Sequence, residues 1–272
     1  MILLIASKKD KAGMNIADQL LDNHGFKKTP ETLFGHTAYS KELGNGETAK
    51  LAFIKQEPID TQSLTFPFQP RLLIFISRHK SKSGTPTLSV HTPGNLGEAE
   101  LGGLPRRVSI SPASAMKDAL KAMKKAQEEM NLDYEVSYEC THHGPSLDIP
   151  TMFAELGSSP KQWEDTDAAE AVATGALAAA CNEDVYQTAL GIGGPHYSKK
   201  FTKRALSTPT AFGHIIPKYA VNKIDRNILR QCVAKTVEPV EKAVLDWKGI
   251  RGADKPRLLN LLGEIDLEID KA

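Results

Sequence analysis

RLLIFIS, residues 71–77, is a continuous apolar run that leads directly into Arg78, His79 and Lys80. A second run of this kind, ILLIA, occupies residues 2–6. Such runs are typical of strands buried on both faces of a sheet, because a half-buried strand would alternate polar and apolar residues. Segments with helical patterns lie between the strand-like segments. The sequence therefore predicts an α/β fold, specifically a three-layer α/β/α sandwich around a mixed, mostly parallel sheet.

The clearest helical pattern is SPASAMKDALKAMKKAQEEM, residues 111–130. Ser111 fits the N-cap position of this helix, and Pro112 fits its first helical position. Met116 and Met123 belong to an apolar stripe at helical spacing, which indicates a face packed in the core. We therefore expect a core helix that begins at this Ser-Pro pair.

The Asn45-Gly46 pair predicts a tight turn between two short strands. We expect these strands to form a small β-hairpin excursion near residues 32–55. No internal repeat or low-complexity linker divides the sequence. The chain is therefore predicted to form a single α/β domain over residues 1–272.

The composition, with 40% hydrophobic and 25% charged residues, is that of an ordinary globular protein. Because the net charge is only +1, a surface that binds nucleic acid must be sought in local patches. No apolar run approaches the roughly 18–20 residues that a membrane span needs, so we expect no membrane partner. The isolated cysteines, without CxxC spacing, favour a reducing compartment and a cytoplasmic location.

Most of the histidines follow or lie within strand-like segments. They are His79, His91, His142, His143, His196 and His214. Because sites in open α/β sheets lie beyond the carboxyl ends of the strands, we expect these imidazoles to converge at one edge of the sheet. A neutral imidazole is a metal ligand or a general base, so the convergence predicts a catalytic or metal-binding cluster. Glu155 fits either a further metal ligand or an ion-pairing residue at a strand end, and Asp148 is a second candidate carboxylate.

Two basic segments flank the histidines. In ALGIGGPHYSKKFTKRAL, residues 189–206, a glycine turn could point backbone N–H groups at an anion, and a basic run follows it. In SRHKSKSGTP, residues 77–86, cations surround His79. A solvated loop and helix face is the alternative interpretation of such charges. The predicted substrate-binding or tRNA-binding residues are Arg78, Lys80, Lys82, Gly193, Gly194, Lys199, Lys200, Lys203 and Arg204.

Four long motifs resemble those of the archaeal and plant type of D-aminoacyl-tRNA deacylase. They are SRHKSKSGTPTLSVHTPGNLG, YECTHHGPSLDIPTMFAELGSS, ALGIGGPHYSKKFTKRAL and AFGHIIPKYA. Two shorter segments, DKAGMNI and DWKGIRG, are similar to that family too, so the similarity covers about residues 1–265. The resemblance implies a fold related to peptidyl-tRNA hydrolase and the purine nucleoside phosphorylases. It also implies hydrolysis of the ester between a D-amino acid and the 3′ end of tRNA, and an association with zinc.

On this resemblance, the expected partner is the acceptor end of D-aminoacyl-tRNA, with its terminal aminoacyl-adenosine in the histidine-lined cleft. One or two zinc ions would polarise the ester carbonyl and lower the pKa of bound water. The candidate metal ligands are His79, His142, His143, Glu155 and His196. The candidate catalytic residues are His142, His143, His214 and His91, of which His214 or His91 would act as base or hold the ribose. The alternative is a metal-free reaction with the ribose 2′-hydroxyl or a positioned water as nucleophile.

Two other classes of protein fit the sequence less well. A zinc-dependent amidohydrolase or peptidase for small substrates is disfavoured by the basic run SKKFTKR, residues 198–204. A non-catalytic RNA-binding protein is disfavoured by the aromatic content of 6%, since proteins that bind single strands use aromatic stacking platforms. We expect a monomer or a weak homodimer, in which a pocket wall sterically excludes L-aminoacyl esters.

Overall fold

The fold is assembled from short strands and helices that alternate along the chain. The computed structural model describes residues 1–82 and 84–272. Its strands are β1 (Ile2–Ser7), β2 (Lys27–Leu33), β3 (His36–Glu42), β4 (Thr48–Ile54), β5 (Leu72–Arg78), β6 (Thr87–His91), β7 (Gly94–Asn95), β8 (Arg107–Val108), β9 (Glu135–Tyr138), β10 (Thr151–Gly157), β11 (Gln187–Ile192), β12 (Thr210–Ile216), β13 (Val240–Leu245) and β14 (Glu268–Lys271). Its α-helices are α1 (Lys11–Asn23), α2 (Ala113–Glu129), α3 (Pro160–Trp163), α4 (Thr166–Ala180), α5 (Lys199–Ser207), α6 (Arg226–Ala234) and α7 (Lys255–Gly263). Among the helices so described, none is both long and apolar enough to cross a membrane.

The two continuous apolar runs form neighbouring strands at the centre of a large sheet. This sheet has the order β2-β3-β4-β1-β5-β10-β6-β9. β1 pairs in parallel with β4 and β5, and β5 pairs in parallel with β10. β10 and β6 are antiparallel, whereas β6 and β9 are again parallel. The predicted α/β fold around a mixed sheet is therefore confirmed.

One face of the large sheet is covered by helices. Leu4 of β1 and Ile74 of β5 belong to the same buried cluster as Ile16 of α1, Met123 of α2 and Val172 of α4. Met123 comes from the predicted apolar stripe, which therefore does face the core. These apolar contacts hold α1, α2 and α4 as a layer against the sheet, because burial of apolar area is the main favourable contribution to folding.

The opposite face of the same sheet carries loops instead of helices. Phe75 of β5 and Phe153 of β10 stack there, with 4.9 Å between their ring centroids. Phe66 and Phe68, from the connection between β4 and β5, pack against this cluster. Beyond this apolar patch, the loop-covered face continues onto β6 and β9, and there it carries the polar residues described below.

A second sheet of four parallel strands, in the order β12-β11-β13-β14, completes the fold. One face packs against α6 and α7 through a cluster that includes Ile192, Leu229 and Leu258. On the other face, Phe212 joins the main core together with Phe201 of α5. This smaller sheet therefore has helices on both faces, and the chain after β11 leads to His196.

The Asn45-Gly46 pair forms the predicted turn. Gly46 has a φ of 77°, and the turn joins β3 to β4 as antiparallel neighbours. β4 then pairs in parallel with β1 through residues 49–54. The hairpin is thus part of the large sheet, where its second strand lies beside the central strand, rather than an excursion from it.

The N-terminus of α2 is capped by a distant carboxylate. The backbone N–H groups of Ala113 and Ser114 donate to the two carboxylate oxygens of Glu238, at 3.0 and 2.8 Å. The prediction that Ser111 caps this helix is wrong, because its hydroxyl accepts a hydrogen bond from Thr92 Oγ1 at 2.7 Å instead. A negative charge at this position satisfies N–H groups that lack intrahelical partners and interacts favourably with the helix dipole.

We expect Glu238→Ala to lower the free energy of unfolding by about 1–3 kcal/mol, because two buried N–H groups lose charge-assisted acceptors. Glu241→Ala is the matched control, since Glu241 is an exposed carboxylate on the nearby strand β13. Urea denaturation followed by circular dichroism measures both changes. Equal unfolding midpoints for the two variants would contradict the capping role of Glu238.

Candidate active site

A row of polar side chains crosses the loop-covered face of the large sheet. Glu155 of β10 lies in register with Ser77 of β5 on one side and with Ser89 of β6 on the other. Ser77 Oγ donates a hydrogen bond of 2.6 Å to Glu155 Oε1. Because side chains alternate along a strand, this register places Glu155 on the same face as Phe153 and away from the helices.

Glu139, directly after β9, is the second buried carboxylate and the centre of the arrangement. It is 1% exposed and accepts a hydrogen bond from Ser89 Oγ. Its carboxylate oxygens lie 3.0 Å from His79 Nδ1, 2.8 Å from His196 Nε2 and 3.6 Å from His142 Nε2. Glu139 is not among the residues predicted from the sequence, because the alternation in YEVSYEC indicates Tyr138 and Cys140, on the other face, as the buried residues. The detectable signal was a carboxylate at the end of a strand, three residues before a histidine pair.

Five of the six selected histidines form one contiguous cluster. The distances between ring centroids are 5.6 Å for His79 and His196, 4.5 Å for His196 and His142, 4.2 Å for His142 and His143, and 4.8 Å for His143 and His91. The cluster lies over the sheet face instead of beyond one edge. The reason is that β6 and β9 run antiparallel to β5 and β10, so their carboxyl ends approach from opposite directions.

Charges in the cluster compensate one another. Burial alone would lower the pKa of His79, but Glu139 and Glu155 raise it to about 10. Burial likewise opposes protonation of His196, yet its contacts with Cys140 and Glu139 raise its pKa to about 10. Burial would raise the pKa of Glu139, and the neighbouring His79 and His196 hold it well below its usual range. These shifts favour ionised carboxylates beside protonated His79 and His196 when no metal ion is bound.

His142 and His143 have the opposite character. Burial holds the pKa of His142 well below 6.5 and lowers that of His143 to about 4, so both rings are neutral. Nδ1 of His142 donates to the Cys140 carbonyl at 2.8 Å, and Nδ1 of His143 donates to the Gly144 carbonyl at 2.7 Å. These bonds fix the tautomer, so each Nε2 presents a lone pair. Both adjacent histidines can therefore act as metal ligands or as general bases.

His91 lies beneath this pair and is 1% exposed. Neither of its ring nitrogens makes a hydrogen bond within residues 1–82 and 84–272, although Nε2 lies 3.5 Å from Glu155 Oε2, and the ring stacks on Phe153 with 5.0 Å between centroids. An unsatisfied buried imidazole is costly, which indicates a partner such as a metal ion or a water molecule. Among the residues that the structure describes, four donor sets have ligand atoms within 4.8 Å of one another. They are His91-His142-His143, Cys140-His142-His196, His79-Glu139-His196 and His91-Glu139-Glu155.

His214 is not part of this cluster. It is fully buried in β12, where Thr141 Oγ1 lies 3.1 Å from its Nδ1 and the Lys235 carbonyl lies 3.2 Å from its Nε2. Burial lowers its pKa to about 4. The ring thus ties the start of the His142 loop to β12. The other candidate carboxylate, Asp148, lies at an exposed position where it forms ion pairs with Arg107 and Lys235.

A cavity of about 780 Å³ opens above the cluster. Its floor includes His79, His142, His143, Glu155 and His196, and an apolar wall includes Pro58, Ile59, Leu101 and Phe153. Of the predicted binding residues, Arg78, Lys80, Lys82 and Lys199 line this cavity. Lys80 and Lys82 are exposed, whereas Arg78 is partly neutralised by Glu57 at 3.1 Å. The cavity thus combines an imidazole floor, an apolar wall and a basic rim.

The other predicted binding residues lie elsewhere. Lys200 Nζ pairs with Asp246 at 2.6 Å, and Arg204 pairs with Asp270 at 2.5 Å, on the side of α5 that faces the smaller sheet. Lys203 lines a separate cavity together with Lys199. The N–H of Gly193 donates to the Ile216 carbonyl at 2.7 Å. The turn formed by Gly193 and Gly194 therefore connects strands of the smaller sheet and does not line the cavity.

The loop that carries the histidine pair packs tightly against the cavity wall. The N–H of Gly144 donates to the Leu101 carbonyl at 2.9 Å. A Cβ atom on Gly144 would lie 2.2 Å from the backbone nitrogen of Gly103. Only glycine permits two backbones to approach this closely. The wall at Leu101 and the loop at His143 are consequently fixed to each other.

Several positioning residues were not predicted from the sequence. Trp163 Nε1 donates to the carbonyl of His79 at 2.9 Å, which anchors the backbone at that histidine. Cys140 Sγ lies 3.3 Å from His196 Nδ1 and 3.4 Å from the hydroxyl of Tyr219. These residues lie far apart in the sequence, and no local pattern connects them.

Comparisons with known proteins agree with this geometry. Residues 66–270 match the family model described as D-aminoacyl-tRNA deacylase. A D-aminoacyl-tRNA deacylase of Pyrococcus abyssi is 38% identical, with 100% of each chain covered. One from Methanosarcina mazei is 36% identical over 99% of this chain and 92% of that protein. A crystal structure of a conserved protein of unknown function superposes with a TM-score of 0.87 at 30% identity, covering 100% of this chain and 95% of that one. The chain belongs to the D-aminoacyl-tRNA deacylase family.

Proposed function

We propose that this protein hydrolyses the ester bond of D-aminoacyl-tRNA and releases the free D-amino acid and tRNA. The observation that carries this proposal is the group of five histidines around two buried carboxylates at the floor of a cavity with a basic rim. Membership of the family supports the same activity. The cavity, at about 780 Å³, has the size of sites that hold small organic molecules, so it can accept an aminoacyl-adenosine group.

The charges of the cavity orient such a substrate. Lys80 and Lys82 lie at the rim, where they attract the phosphates of the acceptor end. The apolar wall at Ile59 and Leu101 suits the side chain of the amino acid. With the adenosine held at the rim and the ester above the histidines, a wall that admits one configuration at Cα rejects the L-ester sterically.

The cluster fits a metal ion, and we assign this role to zinc. The donor atoms support this assignment, because imidazole, thiolate and carboxylate are the groups that bind Zn²⁺ in proteins. The unsatisfied nitrogens of buried His91 and the free Nε2 atoms of His142 and His143 form one such set. Glu139, His79 and His196 form a second. When bound, zinc would polarise the ester carbonyl and lower the pKa of a water molecule.

The protonation states of the histidines determine their roles in the reaction. A neutral histidine, His142 or His143, whose Nε2 does not hold the metal would accept a proton from the attacking water at that atom. His196 is partly exposed, and where it does not hold the metal its protonated ring would stabilise the negative charge that develops on the carbonyl oxygen. The carbon–oxygen bond to the ribose then breaks, and the histidine returns the proton to the leaving ribose oxygen. The products are the amino acid carboxylate and an intact terminal adenosine.

We expect the protein to hydrolyse D-Tyr-tRNA about 100-fold or more faster than L-Tyr-tRNA, because the wall rejects the L-ester before the reaction. Release of labelled tyrosine from each ester measures the two rates. A chelator should abolish the D-activity, and zinc should restore it. If a chelator leaves the activity unchanged, the proposed role of zinc is wrong. If the protein does not hydrolyse D-Tyr-tRNA at all, the deacylase activity itself is contradicted.

His142→Ala and His143→Ala should each lower kcat by about 10²–10⁴-fold, because each removes a neutral imidazole at the reacting ester. His36→Ala is the matched control, since His36 lies on β3 outside the cluster. Steady-state kinetics with D-Tyr-tRNA measures the three variants. Wild-type kcat in both cluster variants would show that the reaction occurs elsewhere.

Zinc added to metal-free protein should raise the unfolding temperature by about 5 °C when its concentration is about 100 times the Kd, because it binds only the folded chain. The rise should be smaller in His91→Ala and His142→Ala, which lose donors, and unchanged in His36→Ala. Differential scanning calorimetry provides this readout without substrate. The same rise in all four proteins would place the metal outside the cluster.

A further inference from the structure

A second, smaller cavity of about 290 Å³ lies beside the active site. It is lined by Lys218, Tyr219, Lys248, Gly249, Ile250 and Arg251. These residues come from the segments that follow β12 and β13. β12 and β13 flank β11 in parallel, so their carboxyl ends lie at the same edge of the smaller sheet, which is the usual location of binding sites in open α/β sheets.

Tyr219 connects this cavity with the catalytic cluster. Its hydroxyl lies 3.4 Å from Cys140 Sγ and 3.5 Å from His196 Nδ1, and His196 belongs to the floor of the large cavity. Its side chain is also part of the lining of the small cavity, and the residue is 53% exposed. A group bound in the small cavity would therefore lie one side chain away from the reacting ester.

The small cavity is strongly basic. Lys218, Lys248 and Arg251 are exposed cations, and none of the described lining residues carries a carboxylate. The nearby carboxylate of Asp246 is already neutralised, because it accepts from Lys200 Nζ at 2.6 Å. The positive charge at this cavity is thus available to an anion from outside.

We propose that the small cavity binds the nucleotide that precedes the terminal adenosine in the acceptor strand. Its phosphate contacts Lys248 and Arg251, and its base stacks on the ring of Tyr219. Proteins bind single-stranded RNA with this combination of a cationic groove and an aromatic side chain. The inference rests on the proposed function, since it requires the aminoacyl-adenosine to occupy the large cavity.

Another cavity near the active site is an alternative binding site for the acceptor strand. This cavity of about 540 Å³ is lined by Lys124, Lys199 and Lys203. However, Lys199 pairs with Glu135 at 2.9 Å and Lys124 pairs with Glu128 at 3.1 Å. Its charge is thus largely compensated, so the small basic cavity is the stronger site for a phosphate.

Two double variants, each of which removes two positive charges from one cavity, distinguish between the two candidate sites. Lys248→Ala with Arg251→Ala should raise KM for D-Tyr-tRNA about tenfold and reduce the slope of log KM against log salt by about 1–2. The matched pair, Lys124→Ala with Lys203→Ala, should change both values much less. With D-tyrosyl-adenosine, which lacks the preceding nucleotide, KM and kcat of both double variants should equal those of the wild type.

The outcomes are distinguishable. Equal KM values for D-Tyr-tRNA in the two double variants, with normal hydrolysis by the wild type, would overturn the proposed nucleotide site. If the wild type hydrolyses neither D-Tyr-tRNA nor D-tyrosyl-adenosine, the deacylase activity on which this inference rests is overturned. Tyr219→Leu should raise KM for D-Tyr-tRNA relative to D-tyrosyl-adenosine about tenfold, whereas Tyr219→Phe should keep the wild-type ratio, because it retains the stacking ring. Equal ratios in Tyr219→Leu and the wild type would contradict stacking.

Discussion

Two carboxylates, Glu139 and Glu155, are buried on the same sheet face within reach of one set of ligand atoms, and the site depends on how their charge is compensated. A buried unpaired carboxylate costs several kcal/mol, so each must be matched by a cation and by hydrogen bonds. Ser77 and Ser89 supply the hydrogen bonds. The positive charge comes from His79 and His196, or from a metal ion that displaces their protons. The two buried carboxylates thus favour imidazole as their neighbour, because an imidazole can either carry the compensating positive charge itself or bind the metal ion that carries it.

The antiparallel pairing of β10 with β6 decides where this compensation occurs. Glu155 reaches the site from β10, whereas Glu139 follows β9, which runs in the opposite direction. In a purely parallel sheet, the residue that follows β9 would lie beyond the same edge as the residues that follow β10, and not over the sheet beside Glu155, which lies within β10. Because the strand directions oppose, the carboxylates lie over the sheet instead, with Phe153 beside them. The change of strand direction therefore produces the low-dielectric surroundings that keep His142 and His143 neutral.

The sequence predicts the elements that depend on local patterns and fails where distant segments meet. The apolar runs at residues 2–6 and 71–77 identified the central strands because full burial removes the need for polar residues. The cap of α2 could not be found locally, because Glu238 lies more than 100 positions away and competes successfully with Ser111. Glu139 was missed for a related reason: only the folded sheet shows that a carboxylate opposite the apolar side of β9 is also buried.

The basic run of α5 illustrates a limit of counting charges along a sequence. Residues four apart share one face of a helix, whereas adjacent residues are about 100° apart. Lys199 and Lys203 consequently lie on the side of the cavities, and Lys200 and Arg204 lie on the side that pairs with Asp246 and Asp270. Two of the four cations in this run, Lys200 and Arg204, therefore form ion pairs with residues of the smaller sheet and its following segment and are not available to a polyanion.

The contact between Gly103 and Gly144 has a consequence for how this site can evolve. Neither glycine can gain a side chain without displacing the other backbone, so the frame that holds His143 resists change. Leu101, two residues from this contact, is 58% exposed and lines the cavity, so its side chain can change at little cost to folding. Tolerance and intolerance to mutation thus lie side by side. A lineage could retune which amino acid side chains it accepts through Leu101 while inheriting the catalytic frame intact.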